Sequence, residues 1–351
     1  FAGEMTETNP ITALKVKEAI RNNKTKLITV APYSGRRETY ISHLPNLAQR
    51  HLEIRVGSEN AAILGLTKAL LSDASSSDIP HALLLKMQTA AASIAFEVIE
   101  VVCGVSEQQF REAAAMFRQA ERAVIIVGRS VLRGEGGYAS MLRLAELAVL
   151  SGKVGHPGSG ILALAKESNA FGAIEMGGVP EFSPGFKPLS SEEKGYTLLE
   201  MIDAAARGEI KALYLVGENP LRSIPQKNVE AALRNLKLLI CQDLYPTETT
   251  ALAHIVLPGA SYAEKSGRFT NHEGEIQKVR QAIDPIGNTL PDWQIFSVMM
   301  NKLKSETKAP YQKLLGYPSV VAVWKEVVMT MPQGWPMGSG SLPAEWLSSY
   351  A

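Results

Sequence analysis

The sequence predicts an α/β fold built from two parallel-sheet domains related by an internal repeat. Three observations carry this expectation. Short apolar runs of strand length alternate with segments that are apolar at helical spacing, the pattern of parallel strands covered by helices. The turns that end those strands are rich in Gly, Asn and Pro, residues that stop regular structure. The order of features between Leu213 and Gln277 also recurs, in weaker form, at the amino end. In the later copy a strand, Leu213–Val216, breaks into Gly217-Glu218-Asn219-Pro220, and a helical segment leads to a second strand, Leu238–Cys241, ending at Gln242-Asp243. Thr247-Glu248-Thr249, a strand at Ile255–Leu257 and the polar stretch Glu264–Asn271 follow. In the early copy Gly3-Glu4 leads to Asn9-Pro10, a helix to Ile20 and a strand at Leu27–Val30. Ile54-Arg55-Val56-Gly57 and Leu64-Gly65 then mirror the later order.

Taken in order, the apolar spacing of Ile11–Ile20 predicts a helix, His51–Val56 a strand and Ala61–Leu71 a second helix. The Ser- and Asp-rich run 73–80 reads as a loop. Helices fill roughly 81–120, where Ser106 and Gln109 have capping-box spacing. Ala123–Val127 is a strand, and a loop with Gly134, Gly136 and Gly137 opens the amphipathic helix Tyr138–Leu150. Gly152–Gly160 and the passage to about Pro188 read as irregular, and so long an irregular stretch is usually functional. After Trp293 the chain is helical to about Leu303, and Met337-Gly338-Ser339-Gly340-Ser341 reads as a linker. The expected domains are therefore 1–105 and 106–303, with a tail over 304–351.

Composition narrows the function classes. Lys plus Arg number 36 against 35 Asp plus Glu, a net charge of +1 that argues against a nucleic-acid groove or an anionic membrane surface as main partner. No apolar run reaches spanning length, so direct membrane insertion is not expected. The two cysteines, Cys103 and Cys241, lie in or beside apolar runs without Cys-x-x-Cys spacing, as buried thiols do. No metal site and no catalytic Ser/His/Asp order, paired-His spacing or phosphate-binding Lys loop emerges. Phe1 is not a natural start, and the chain reads as a piece of something longer.

The strand–Gly217-Glu218-Asn219-Pro220–helix turn is the best ligand candidate, because open α/β sheets bind ligands beyond the carboxyl ends of their strands. Gly permits close backbone approach and the next helix offers free N–H groups. A well-capped βα turn explains it equally well. Gly152–Gly160 suits a phosphate or pterin, or a plain crossover loop, and His156 within it reads as a surface imidazole. The density of polar residues over Gly267–Gly274 exceeds what a solvated loop needs.

Gly217-Glu218-Asn219-Pro220, Cys241-Gln242-Asp243, Thr247-Glu248-Thr249, Ala253–Ala260 and Glu264–Asn271, in that order, resemble the molybdopterin oxidoreductase superfamily. So do Leu150–Gly160, Asn169–Gly172, Met176–Phe186 and Pro291-Asp292-Trp293, and the likeness covers nearly the whole chain to about residue 303. It implies Rossmann-like domains of an electron-transferring oxidoreductase subunit. Two branches compete. Asn271-His272-Glu273-Gly274 looks more like the branch found in NADH–quinone oxidoreductase (respiratory complex I), which carries iron–sulfur clusters and no molybdenum, and where a Glu-Gly pair follows the Asn. The acid that usually follows the first strand is also missing, Ala31-Pro32-Tyr33 standing in its place, and His254 replaces a common Asp. Gly217-Glu218-Asn219-Pro220 and Gln242-Asp243 keep the form used by cofactor-binding members such as the large subunit of formate dehydrogenase.

The complex I branch implies an NADH dehydrogenase (quinone) type of subunit that binds no cofactor in this stretch, with iron–sulfur clusters upstream and other respiratory subunits as partners. It implies a cytoplasmic location, peripheral to the inner membrane through those partners. The formate dehydrogenase branch implies a bis-pterin molybdenum or tungsten enzyme. Gly217, Glu218, Asn219, Ser223, Asp243, Thr247, Gly267, Thr270 and Asn271 would then hold one pterin guanine dinucleotide, and Gly3, Glu4, Asn9, Gly57, Asn169 and Gly172 would line the other side. Either way this stretch alone is expected to be catalytically inert. A third reading, an isolated nucleotide-binding module like the middle domain of thiamine diphosphate enzymes, does not account for the repeat.

Overall fold

A computed structural model describes residues 1, 5–32, 44–72, 81–128, 131, 137–165, 167–224, 228–306 and 316–331. Gly3, Glu4, the run from Tyr33, the loop glycines 134 and 136 and the 337–341 linker lie outside the described residues. The chain divides into two compact units, Phe1–Glu167 and Ser168–Gly340. The sequence reading draws its line at 105/106 instead. The helix Glu107–Gln119 belongs to the first unit because Phe110, Ala113 and Ala114 are buried in that unit's core.

The first unit is built around one helix. Glu59–Leu71 buries Ala62, Ile63, Leu64, Leu66, Ala69 and Leu70, so it is apolar nearly all round and sits at the centre. Around it pack Phe96–Cys103, Glu107–Gln119 and Gly137–Leu150, which contribute Ile99, Phe110 and Leu144. The Glu107–Gln119 helix starts where the sequence places its cap: the Gln109 side chain accepts the Ser106 N–H at 3.0 Å, and Ser106 Oγ accepts the Gln109 N–H at 3.4 Å. Strands β1 (Ile28–Pro32) and β2 (Arg50–Ile54) pair in parallel, as do β3 (Val124–Val127) and β4 (Gly160–Ala163). Phe1 flanks β3, its amino group donating to Ile126 O and its carbonyl accepting from the Gly128 N–H. Period-2 alternation sends Ile125 and Val127 into the main core, and Ile126 and Leu162 to a smaller cluster with Met5, Ala13 and Leu44. The sheet is covered on both faces.

Strand β4 falls in a stretch the sequence reads as irregular. It is only four residues long, and its partner β3 lies 36 positions earlier by register, Val124 opposite Gly160. The Gly152–Gly160 loop leads into β4 at the amino end of this pair. There Ser159 Oγ accepts the Ala123 N–H at 3.2 Å, and the buried Lys153 ammonium donates to Ala120 O. That end of a parallel sheet is not where ligands bind, so the loop is a pinned crossover, and His156 is exposed on it.

The second unit begins with a short antiparallel pair, β5 (Phe182–Ser183) with β6 (Lys187–Pro188). Then β7 (Ala212–Val216), β8 (Leu238–Asp243) and β9 (Ile255–Pro258) form a parallel sheet in that order. Leu215, Leu239 and Cys241 meet Ile202 and Ala205 of helix Leu198–Ala206 and Leu233 of helix Val229–Arg234. Tyr214, on the other face, meets Phe296 of helix Asp292–Glu306 edge-on, ring centres 6.1 Å apart. The helix Leu198–Ala206 is opened by a capping box in which Glu200 accepts the Thr197 N–H at 2.7 Å. A second antiparallel pair, β10 (Gly267–Thr270) with β11 (Ile276–Val279), completes the unit. The polar stretch Gly267–Gly274 is thus a hairpin strand and its turn. No described helix is long and apolar enough to cross a membrane.

Candidate functional site

The carboxyl ends of β7, β8 and β9 bring together most of the predicted residues of the later copy. Gly217 ends β7 with φ +62°, a left-handed conformation that favours glycine, and its N–H donates to Gln242 O at 2.8 Å. A Cβ built on Gly217 meets nothing within 4 Å, so the backbone here borders open space. Asn219 is the hub of the loops beyond. Its amide nitrogen donates to Glu248 at 2.7 Å, its amide oxygen accepts from the fully buried Thr249 hydroxyl at 2.6 Å, and Thr249 Oγ1 accepts the Leu221 N–H at 3.4 Å. Donation by Asn219 is the main cause that holds the Glu248 carboxyl below the usual range. Ser223 donates to Glu218, closing the turn from the other side. Thr247 accepts the Thr250 N–H at 3.1 Å and returns its own N–H to Thr250 Oγ1 at 2.7 Å, which makes 247–250 a self-braced loop.

Asp243 closes β8. Its Oδ1 accepts the Leu244 N–H at 2.7 Å, which orients the carboxylate, and no described group bonds to its second oxygen. Behind it lies a network that the sequence reading did not assign to the site. Gln242, 2% exposed, donates to Asp292 Oδ1 at 2.6 Å and accepts from Tyr214, while Lys265 pairs with Asp292 Oδ2. The signal was available in part: Gln242-Asp243 and Pro291-Asp292-Trp293 both stood out as motifs, but their pairing spans 50 positions.

A second cluster forms on the hairpin. The Thr270 N–H donates to Asn169 Oδ1 at 2.9 Å, and the Thr270 hydroxyl donates to Glu175 at 2.6 Å. Gly172 is needed beside them, since a Cβ there would stand 2.3 Å from Asn169 Oδ1. Asn169 and Gly172 thus lie in the second unit with Thr270, whereas the sequence reading groups them with Gly3, Glu4, Asn9 and Gly57. The chain has passed into the second unit at Ser168, just before Asn169. Asn9 and Gly57 lie in the first unit; Asn9 stands at the N-cap position of helix Pro10–Asn23 without a side-chain capping hydrogen bond, and Gly57 (φ +81°) follows β2 with open space around it. Gly267, at the start of β10, also borders open space.

Asn271 does something else. Its Oδ1 accepts the N–H groups of Glu273 at 2.9 Å and Glu275 at 3.0 Å, and Gly274 takes φ +80°, so Asn271 to Glu275 is the turn joining β10 to β11. The Glu-Gly pair after the Asn, which pointed to one branch of the resemblance, is the chemistry this turn demands.

Among the described residues, Glu175, 7% exposed, is the one carboxyl that burial pushes above its ordinary pKa, with the Thr270 hydrogen bond opposing the shift. An acid whose folded pKa is raised holds more protons folded than unfolded, so stability contributed at low pH is lost as pH rises through that interval. Glu175→Gln is expected to flatten the decline in urea midpoint from acid towards neutral pH. An unchanged profile would place the titration elsewhere. Thr270→Val, which leaves the carboxylate without its donor, is expected to cost about 1–3 kcal/mol at neutral pH.

The family model of molybdopterin oxidoreductases matches residues 3–302. Among curated proteins, the chain is 36% identical over 252 residues to an F420-dependent formate dehydrogenase subunit alpha of Methanocaldococcus jannaschii, covering 68% of this chain and 36% of that one. It is 28% identical over 351 residues to F420-dependent formate dehydrogenase 2 subunit alpha of Methanococcus maripaludis, covering 93% of this chain and 49% of the other. With formate dehydrogenase H of Escherichia coli the identity is 32% over 225 residues, 59% of this chain and 32% of that protein. The chain therefore spans about half or less of these relatives. Among solved structures, acetylene hydratase from Pelobacter acetylenicus superposes with a TM-score of 0.66 at 17% identity, covering 91% of this chain and 49% of its own, a likeness of fold. These three curated relatives are formate dehydrogenase subunits, so the comparisons favour the formate dehydrogenase branch over the complex I branch, and of the sequence features that favoured complex I, the Glu-Gly pair serves a hairpin turn.

Proposed function

The chain belongs to the molybdopterin oxidoreductase family, and from that premise we propose that it is the cofactor-gripping part of a formate-dehydrogenase-type catalytic subunit. The observation that carries this is the βα turn at Gly217, open to a ligand and braced by Asn219, Thr249 and Glu248 beyond the ends of a parallel sheet. The relatives named formate dehydrogenase support the reaction class.

The residues present fit a pterin guanine dinucleotide. Gly217 permits close backbone approach of a ligand to the turn it opens. The outer oxygen of Asp243 is an acceptor suited to the paired N–H groups of a guanine edge, held in place by the Leu244 N–H. The Thr247 hydroxyl and the 267–270 strand supply further polar contacts, while Ser223 restrains Glu218. When bound, the pterin supplies the dithiolene that carries molybdenum or tungsten and its two-electron chemistry. These residues bind and orient it; none of them moves a proton or electron in this reading. Other subunits of the complex are the partners, and any approach to a membrane is through them.

The test is the metal and pterin content of the protein that contains this chain, purified without oxygen. Molybdenum or tungsten with released pterin guanine dinucleotide is expected, and Asp243→Ala is expected to lower the pterin content about tenfold, the loss of one charge-assisted pair. Iron without molybdenum, tungsten or pterin would overturn the assignment.

A further inference from the structure

The β10–β11 hairpin carries two cations that the pterin site does not use. Directly opposite residues of an antiparallel pair project from the same face, with Cβ atoms about 4.5–5.5 Å apart. Arg268 stands opposite Lys278 in this register, so two positive side chains leave one face together. Like charges so placed work against the hairpin. Among the described residues neither makes an ion pair or a side-chain hydrogen bond. The hairpin's own acids, Glu273 and Glu275, lie in its turn. The Arg268 guanidinium instead lies over the ring of Trp324, 4.0 Å from its centre, on the helix Val320–Thr330. Its place over the ring restrains the guanidinium, and its N–H donors have no hydrogen-bond partner among the described residues.

We propose that Arg268 and Lys278 form a binding site for a phosphate-class oxyanion, a phosphate monoester or a diphosphate. The guanidinium fork pairs two oxygens in its plane, and the ammonium meets a third as a point charge. A tetrahedral anion with two negative charges satisfies both cations and removes the cross-strand repulsion. A singly charged carboxylate satisfies only one. Trp324 holds Arg268 ready, which lowers the ordering cost of binding.

The test is calorimetric titration of the full chain with inorganic pyrophosphate, inorganic phosphate and acetate at one ionic strength. Both phosphates are expected to bind and acetate to fail. Arg268→Gln and Lys278→Gln are each expected to weaken pyrophosphate binding about tenfold, the loss of one charge-assisted contact. Lys237→Gln, which removes an exposed cation elsewhere in the same unit, is expected to change nothing. Lys278 is itself exposed, so its variant keeps the fold whatever becomes of the Arg268 variant. Absence of phosphate binding, or equal weakening by Lys237→Gln, would overturn the site. The result is independent of pterin binding. In the complete protein Lys278→Gln is expected to leave pterin content unchanged; loss of pterin would overturn a site separate from the cofactor's.

Discussion

Phe110→Ala is expected to lower the stability of the first unit by about 3–5 kcal/mol, the usual cost of emptying a buried aromatic site. The Phe110 ring is fully buried, lies 6.4 Å from the Phe96 ring, and fills the notch left by Gly65 in the central helix. A Cβ on Gly65 would stand 2.6 Å from the tip of that ring, closer than carbon atoms can approach. Two effects therefore compete in Gly65→Ala. Helix propensity favours alanine by about 0.5–1 kcal/mol, and overpacking against a rigid ring costs about 1–3 kcal/mol. Overpacking wins, because the ring is enclosed and cannot swing away. Urea unfolding of both variants, of Phe110→Leu and of Gly65→Ala/Phe110→Leu measures this directly. The double variant is expected to cost less than the sum of its parts, since the smaller side chain relieves the clash. A neutral or stabilising Gly65→Ala would refute the packing argument.

The second large effect is expected at Asp292. Asp292→Ala removes the acceptor of the buried Gln242 amide and the counter-ion of Lys265 together. A hydrogen bond to a charged group is worth about 1.5–3 kcal/mol, and this range is the expected loss. The ion pair adds little to it: the side chains are 25% and 34% exposed, and so accessible a pair contributes about 0–1 kcal/mol. Asp292→Asn, which keeps an acceptor for Gln242, is accordingly expected to cost well under half as much. Equal losses would mean that the charge, not the hydrogen bond, matters. The effect reaches the site, because Gln242 O accepts the Gly217 N–H at 2.8 Å. Loosening Gln242 frees the turn that approaches the ligand, so Asp292→Ala is also expected to lower pterin content in the complete protein.

Elements whose information is local were legible in the chain. The Ser106–Gln109 cap needs only its own four residues. The strands β7 and β8 contain the apolar runs Leu213–Val216 and Leu238–Cys241, as strands of a helix-covered parallel sheet do. The turn at Gly217-Glu218-Asn219-Pro220 was recognisable because a positive φ at a strand end calls for glycine and an N-terminal helix position tolerates proline. Elements whose information is shared between distant segments were not. Strand β4 has four residues and acquires its identity from β3. The hairpin β10–β11 read as a polar loop because its inward face is polar, Thr270 reaching Glu175 across 95 positions.

The α/β class, the order of the later half-unit and the family all follow from the linear chain, because strand and helix periods and turn residues are written in consecutive positions. The branch within the family did not, since the Glu-Gly pair that weighed on it serves a turn. Packing settled that 106–167 joins the first unit, where Phe110 meets Gly65. It placed Asn169 and Gly172 with Thr270, and spent Asn271 on a turn. It set Arg268 against Lys278 and over Trp324. Each of these depends on which remote segment comes within hydrogen-bond or contact distance, and that is a property of the packed chain rather than of any stretch of it.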